Sequence, residues 1–338
     1  MRVVHIHRKR NPERFSIEGY FERVREFLPA TTLQVTEYIL PCFSRGFFPR
    51  LRNMIAAWRN QADINHVTGD IHYVTLMLKR KRTLLTVHDC EILSRLTGWK
   101  RTLVLWFWYI LPARRVAAMT VNSEETKRSL LQVIRFSEDQ ILVVPVAISP
   151  QYQPSEKEFC TECPRILQIG TKQNKNLLRL AEALSGLACH VDIIGPLTES
   201  QVGALRIHGI QYTNHLNLTD EELLERYQLA DIVSFVSTLE GFGMPIVEAQ
   251  SVERVCVTSN CSSMPEIAGQ GACFVDPFEV ASIRAGFQKV IANRTYRESL
   301  IAQGRINKLR FNTKKIAEDF LAIYAAIHEQ NLSATKAI

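Results

Sequence analysis

The stretch Ser237-Thr-Leu-Glu-Gly-Phe-Gly-Met-Pro-Ile-Val-Glu248 decides how the rest of the chain is read. It follows Asp231-Ile-Val-Ser-Phe-Val236, a short apolar run that reads as a buried strand. Gly241 and Gly243 permit a left-handed backbone and a close approach to a ligand, because neither carries a Cβ. Pro245 suits the first turn of a helix, where its missing N–H costs nothing. The helix then aims its N–H groups and the positive end of its dipole at the loop, a setting for a phosphate or pyrophosphate. Glu240 lies on the loop, and Glu248 lies about one turn into the helix, within reach of a ribose diol. A nucleotide-sugar has that order of parts: ribose, pyrophosphate, sugar. On spacing alone the ligand-free reading is equally good, since strand, glycine turn and proline-started helix recur in many α/β proteins that bind nothing there.

Outward from this segment, short apolar runs alternate with helical ones from end to end. Strands are predicted at 3–7, 34–40, 84–88, 119–122 and 141–146, and then at 165–170, 191–195, 231–236, 255–259 and 272–275. Thr198-x-x-Gln201 and Thr219-x-x-Glu222 have the spacing of capping boxes that open two of the helices. Such alternation implies parallel sheets with helices on both faces. Ile148-Ser-Pro-Gln-Tyr-Gln-Pro-Ser-Glu-Lys-Glu158 has the prolines and polar residues of a linker, which places a domain boundary near residue 155. A chain of 338 residues suits two domains.

With 46% hydrophobic and 22% charged residues the composition is that of a globular protein able to bury two cores. Arg2-Val-Val-His-Ile-His7 reads as a strand, so no secretory leader is expected. The longest uncharged apolar run, 103–112, is half of the roughly 20 residues a bilayer span needs. Eight cysteines without a leader point to a reducing compartment, and Cys160-Thr-Glu-Cys163 lacks the second pair that a zinc site requires. The first 150 residues carry 23 Lys and Arg against 13 Asp and Glu, while the remainder carries 18 against 21. The basic excess therefore belongs to the N-terminal half, where it suits an anionic partner.

The segment spanning Glu240 and Glu248 resembles the Glu–seven residues–Glu motif of retaining glycosyltransferases of the GT-B fold, in the large group 1 (family 4) class, bacterial polysaccharide type. The glycines, Met244-Pro245 and both glutamates are present. Arg165-Ile-Leu-Gln-Ile-Gly-Thr-Lys-Gln-Asn-Lys-Asn176 is similar to the family segment in which a glycine precedes two cations that neutralise the donor pyrophosphate. Lys175 matches the family lysine. Lys172 stands in for an arginine that many members place one residue after the glycine, where this chain has Thr171. Thr83-Leu-Leu-Thr-Val-His-Asp89 resembles a strand whose histidine, here His88, faces the donor sugar; its neutral imidazole would bond a sugar hydroxyl. His66-Val-Thr-Gly-Asp-Ile-His-Tyr73 is similar to polysaccharide members, which puts Gly69 and Asp70 on the acceptor side. The first loop departs from the family pattern. It has His7-Arg-Lys-Arg-Asn-Pro-Glu-Arg14 in place of glycines. Arg8 and Arg10 there suit an acceptor phosphate or, equally, a solvated loop.

The resemblance covers essentially the whole chain. It implies an α/β protein of GT-B type, with two Rossmann-like doubly wound parallel-sheet domains facing a cleft. Residues 1–155 would bind the acceptor and 156–312 the nucleotide-sugar, and a helix at 313–330 would return to the first domain. Gly170, Lys172, Lys175, Gly241, Phe242, Gly243, Met244 and Glu248 would bind the donor, with Glu248 on the ribose. Glu240 would hold the sugar without serving as a covalent nucleophile. No cofactor and no metal are implied, because the two lysines and the helix N-terminus stabilise the leaving pyrophosphate. Retention is ascribed to front-face attack, with domain closure excluding water. The implied reaction moves a hexose to a saccharide or polyprenyl-linked acceptor during cytoplasmic assembly of a surface polysaccharide.

Two basic aromatic segments stand apart from this chemistry. Residues 43–59 mix Phe43, Phe47, Phe48 and Trp58 with four arginines, as an interfacial helix on anionic lipid does. Residues 99–115 enclose Trp106, Phe107 and Trp108 between basic ends and read as a buried helix. A nucleotide-sugar epimerase or phosphorylase on the same fold remains an alternative, as does a non-catalytic basic binding protein. No nucleic-acid motif is present, and no G-x-G-x-x-G follows a strand.

Overall fold

Twelve short strands form two all-parallel sheets in a computed structural model that describes residues 1–10 and 16–336. The first sheet contains β1 (Arg2–His7), β2 (Gln34–Ile39), β3 (Ile64–Val67), β4 (Thr83–Val87), β5 (Ala118–Val121) and β6 (Ile141–Val143), in the order β2-β1-β3-β4-β5-β6. The second contains β7 (Arg165–Ile169), β8 (His190–Ile194), β9 (Gln211–His215), β10 (Ile232–Phe235), β11 (Val255–Ser259) and β12 (Cys273–Val275), in the order β12-β11-β10-β7-β8-β9. Helices in the crossovers cover both faces, so the central strands β3, β4, β5, β10 and β11 are buried at every residue. The edge strands β2 and β9 have no buried position.

The chain divides into two units, Met1–Ala147 with the residues from Asn312 on, and Ile148–Phe311. The division falls earlier than residue 155 because the proline-bearing segment is bound to the second unit. Ile148 N–H donates to the Phe311 carbonyl at 3.1 Å, Tyr152 packs edge-on to Tyr227 with ring centres 5.5 Å apart, and Arg254 holds Ser155 at 2.8 Å. Lys157 pairs with the buried Asp231.

The last helix, Thr313–Lys336, lies on the first unit. Its buried stripe Ile316, Phe320, Tyr324 and Ile327 packs against Val3, Phe21, Ile64 and Leu84. The Tyr324 hydroxyl bridges His5 Nε2 at 2.9 Å and His66 Nδ1 at 2.7 Å, and His66 Nε2 meets Thr86 at 2.7 Å. All three bridged residues are fully buried.

The second aromatic segment corrects the sequence reading. It forms the helix Gly98–Val104 continued by a π-helical turn, Leu105–Ile110, and it is not interior. Trp99, Leu103, Trp106 and Phe107 are exposed, at an i, i+4, i+7, i+8 spacing, whereas Tyr109, Pro112 and Ala113 face the core.

Candidate active site

In each sheet the strand order reverses beside one strand. β7 pairs with β8 on one side and β10 on the other; β1 pairs with β2 and β3. Loops leaving such neighbouring strands diverge and open a crevice at their carboxyl ends, where ligands of α/β proteins bind. The residues singled out in the sequence fall at these two points.

In the second unit, β7 is followed by Gly170, whose φ of +83° is left-handed. A Cβ there would stand 3.1 Å from the Lys175 side chain, so glycine lets the lysine fold back over the strand end. A 3₁₀ turn, Gln173–Lys175, carries Lys175 into contact with the loop after β10. Its ammonium donates to Glu240 Oε1 at 2.6 Å and sits 4.5 Å from the Phe235 ring centre. Asn174 Nδ2 donates to the same Glu240 oxygen at 3.1 Å and to the Leu239 carbonyl at 3.0 Å. The Thr238 N–H returns a bond to the Asn174 carbonyl at 2.8 Å. Ser262 and Ser263 hydroxyls donate to the Glu240 carbonyl at 2.8 and 3.0 Å. The two loops are thus stitched together, and Glu240 has a fixed position rather than a solvated one. Lys175 and Glu240 are only 17% and 15% exposed, so the pair acts in a partly dehydrated setting where charge interactions are stronger than in water.

Gly243, at φ +119°, precedes the helix Met244–Ser251, with Pro245 in its first turn. A Cβ on Gly243 would stand 3.2 Å from Ile246 and 3.3 Å from Phe235. No acidic residue occupies the first turn, so the positive end of the helix is not offset by its own side chains. One turn on, Glu248 Oε2 accepts from the Tyr227 hydroxyl of the helix Asp220–Leu229. Tyr227 is fully buried, and burial first, then the charge of Glu248, drives its pKa well above the usual phenol range. It therefore acts as a permanent donor to Glu248.

Not every expected donor residue joins this cluster. Lys172 is exposed, with no ion pair among the described residues. The Phe242 ring is buried against Phe311, with centres 5.7 Å apart, so its backbone alone can face a ligand. Gly241 and Met244 are half-buried on the loop and the helix start.

In the first unit, the loops after β1, β3 and β4 converge. Arg8 donates to Glu18 at 2.8 Å and to Asp70 at 3.0 Å. The guanidinium is shared by two carboxylates, which does not leave it as the open cation the sequence suggested. Arg10 turns aside to Glu37 at 3.3 Å. His88 Nε2 donates to the Thr68 carbonyl at 2.8 Å, which puts the proton of the neutral ring on Nε2 and leaves Nδ1 as acceptor. Gly69 follows Thr68 directly, and Thr68 in turn bonds His7 Nδ1 at 2.8 Å. The remainder of the basic loop, including Arg14, lies outside the described residues.

Two family models meet on this framework. Glycosyl transferases group 1 matches residues 161–307, and Glycosyltransferase Family 4 matches residues 6–152. The chain belongs to the group 1 glycosyltransferases. Sequence relatives of this glycosyltransferase include the O-antigen chain mannosyltransferase B of Escherichia coli, 25% identical over 60% of this chain and 58% of that one. The MMP alpha-(1->4)-mannosyltransferase of Mycolicibacterium hassiacum is 27% identical over 83% and 74% of the two chains. The protein thus spans between about half and three-quarters of the length of these relatives. Its fold is GT-B. A sucrose-phosphate synthase from Thermosynechococcus elongatus superposes with a TM-score of 0.79 at 14% identity, covering 99% of this chain and all of the other. WaaG, a glycosyltransferase involved in lipopolysaccharide biosynthesis, superposes at 0.71 and 13% identity, over 96% of this chain and 99% of its own.

Residue-by-residue reading missed Asn174, Tyr227, Ser262 and Ser263. Ser262-Ser263 lies outside the motifs that carry the family resemblance, and Asn174 stands between Lys172 and Lys175, whose charge is the stronger signal. Tyr227 had no signal, since a tyrosine at helical spacing reads as core.

Proposed function

We propose that the protein is a retaining hexosyltransferase that moves a sugar from a nucleotide-sugar to a hydroxyl of a saccharide or lipid-linked saccharide acceptor. Mannose is the favoured sugar, because the sequence relatives are named as mannosyltransferases. The observation that carries this reading is the Lys175–Glu240 contact at the carboxyl ends of β7 and β10. It puts a cation suited to a diphosphate beside a carboxylate suited to sugar hydroxyls, at the place where the order of strands reverses.

In this reading the second unit binds the donor. Glu248, held by Tyr227, takes the ribose diol. Lys175 and the start of the helix Met244–Ser251 take the diphosphate, with Gly170, Gly241 and Gly243 admitting it against the backbone and Lys172 reaching it from solvent. Glu240 orients the sugar. The acceptor oxygen bonds the anomeric carbon, the bond to the diphosphate breaks, and the acceptor proton passes to a departing diphosphate oxygen. Positively charged and N–H groups stabilise the charge that develops there, which is commonly the largest single contribution to such a rate. The first unit binds the acceptor on the side of Gly69 and Asp70, and His88 offers its Nδ1 to a sugar hydroxyl. Arg8, shared by two carboxylates, makes that point suited to neutral hydroxyls rather than to phosphate.

The test is an incubation with GDP-mannose and, separately, UDP-glucose, each with an oligomannoside and a polyprenyl-linked saccharide. Release of nucleoside diphosphate that depends on acceptor, with an α-linked product by NMR, is expected from an α-linked donor. A β-linked product would overturn retention, and conversion of the donor without acceptor would turn the assignment towards an epimerase.

A further inference from the structure

Two acid-free stretches account for the surface that the sugar chemistry does not use. No Asp or Glu occurs between Glu37 and Asp63, or between Glu91 and Glu124, and these stretches hold four and five Lys or Arg residues. Among the described residues they also hold seven of the ten exposed Phe and Trp side chains. On the helix Phe47–Arg59, Phe47, Leu51 and Trp58 make one exposed stripe, with Phe48 at 79% exposure beside it. Arg52 and Arg59 flank that stripe, while Asn53 and Ala57 face the core. The run from Gly98 repeats the design, with Trp99 at 69% and Trp106 at 43% exposure and Lys100 and Arg101 alongside.

The two elements are neighbours. The Arg50 guanidinium lies 4.8 Å from the Trp108 ring centre. Tyr73 packs against Trp108 with tilted rings whose centres are 5.3 Å apart, and its hydroxyl accepts from Asn53 Nδ2 at 3.0 Å. Lys9 sits 4.9 Å from the Phe43 ring. Clustered apolar surface of this kind is not the scattered exposure of ordinary surfaces. Among the described residues no helix is long and apolar enough to cross a membrane.

We propose that this face docks the first unit on the headgroup region of an anionic bilayer. Aromatic rings suit that depth, where one side is apolar and the other wet. Cations without interspersed carboxylates suit a surface that is uniformly negative, and a protein partner of mixed charge would leave them unmatched. The inference is independent of the donor site.

All four tryptophans lie in the two stretches, so their emission reports on the face directly. The full chain is mixed with vesicles of phosphatidylcholine alone, or with about one-third phosphatidylglycerol. Expected are co-flotation with the anionic vesicles only, a blue shift of the emission, and loss of both in high salt. Phe47→Ser with Phe48→Ser should weaken binding at least about tenfold, and Arg52→Glu with Arg59→Glu should abolish it. Circular dichroism and thermal transitions matching the wild type would show both variants folded. Equal flotation with neutral and anionic vesicles would overturn the proposal, as would undiminished flotation of the phenylalanine variant. A dimer in solution that the phenylalanine variant dissolves, without flotation of the wild type, would assign the face to a second copy instead. Salt-sensitive retention on RNA without vesicle binding would assign it to nucleic acid.

Discussion

Lys175 and Glu240 hold one another within a partly dehydrated loop pair, and this predicts different outcomes for their replacement. Lys175→Ala removes the cation for the diphosphate and leaves the Glu240 carboxylate held by Asn174. It should weaken nucleotide binding by about 2–3 kcal/mol, a thirty- to hundredfold loss by calorimetry. Glu240→Gln keeps a hydrogen-bonding side chain in place. It should leave nucleotide affinity within about threefold while lowering turnover by about 10²-fold or more. Equal losses of affinity in both variants would separate Glu240 from the sugar and move it to the diphosphate. Tyr227→Phe tests the support of Glu248 from behind. The ring stays buried and the hydroxyl is lost, so donor KM should rise about fivefold or more, with kcat little changed. No change in KM would make the tyrosine a packing residue only.

At the scale of elements, two positions set how the chain enters and leaves its site. Gly243→Ala would place a Cβ 3.2 Å from Ile246 at a φ of +119°, a conformation that L side chains rarely adopt. It should destabilise the second unit by about 1–3 kcal/mol in denaturant titration; a neutral result would mean that the loop relaxes freely. Both capping boxes written in the sequence, Thr198 with Gln201 and Thr219 with Glu222, are formed with reciprocal bonds. Ten of the strands were legible, the central ones as apolar runs because strands buried on both faces carry little else, and the edge strand β2 through the Val, Tyr and Ile of Gln34–Ile39. The two that were not are instructive. β3 is Ile-Asn-His-Val; its buried Asn65 accepts from the Ala62 N–H just upstream, while its buried His66 is satisfied by Tyr324, a partner distant in the chain that no local pattern announces. β9, Gln-Tyr-Thr-Asn-His, is an exposed edge and needs no apolar face. The glycines and glutamates of the site were legible because backbone geometry demands them. Asn174 and Tyr227 were not, because each matters only through a residue about 20 to 70 positions away, a separation that no local spacing rule spans.

For the molecule as a whole, the first unit carries a buried histidine cluster that sets its response to acid. His7 is lowered to about 4, by burial and then by Arg25, and burial holds His5 and His66 well below their ordinary value. In the unfolded chain each titrates near 6.5. Between about 4 and about 6.5 the unfolded chain therefore binds protons that the folded chain does not. Stability rises with pH through that window and is flat in this respect above it. His7 alone would remove on the order of 3 kcal/mol as pH falls from neutrality to about 4. Thermal midpoints across that range should fall more steeply in the wild type than in His7→Asn; parallel slopes would assign the acid sensitivity to other groups. The central claim concerns the second unit, as the seat of a nucleotide-sugar. It is tested most directly by calorimetric titration of the full chain with GDP and with UDP, beside Glu248→Ala. Binding of one nucleotide in the micromolar range, lost in the variant, is the predicted result. Binding of neither nucleotide to folded protein, or equal binding by the variant, would contradict the assignment of that crevice.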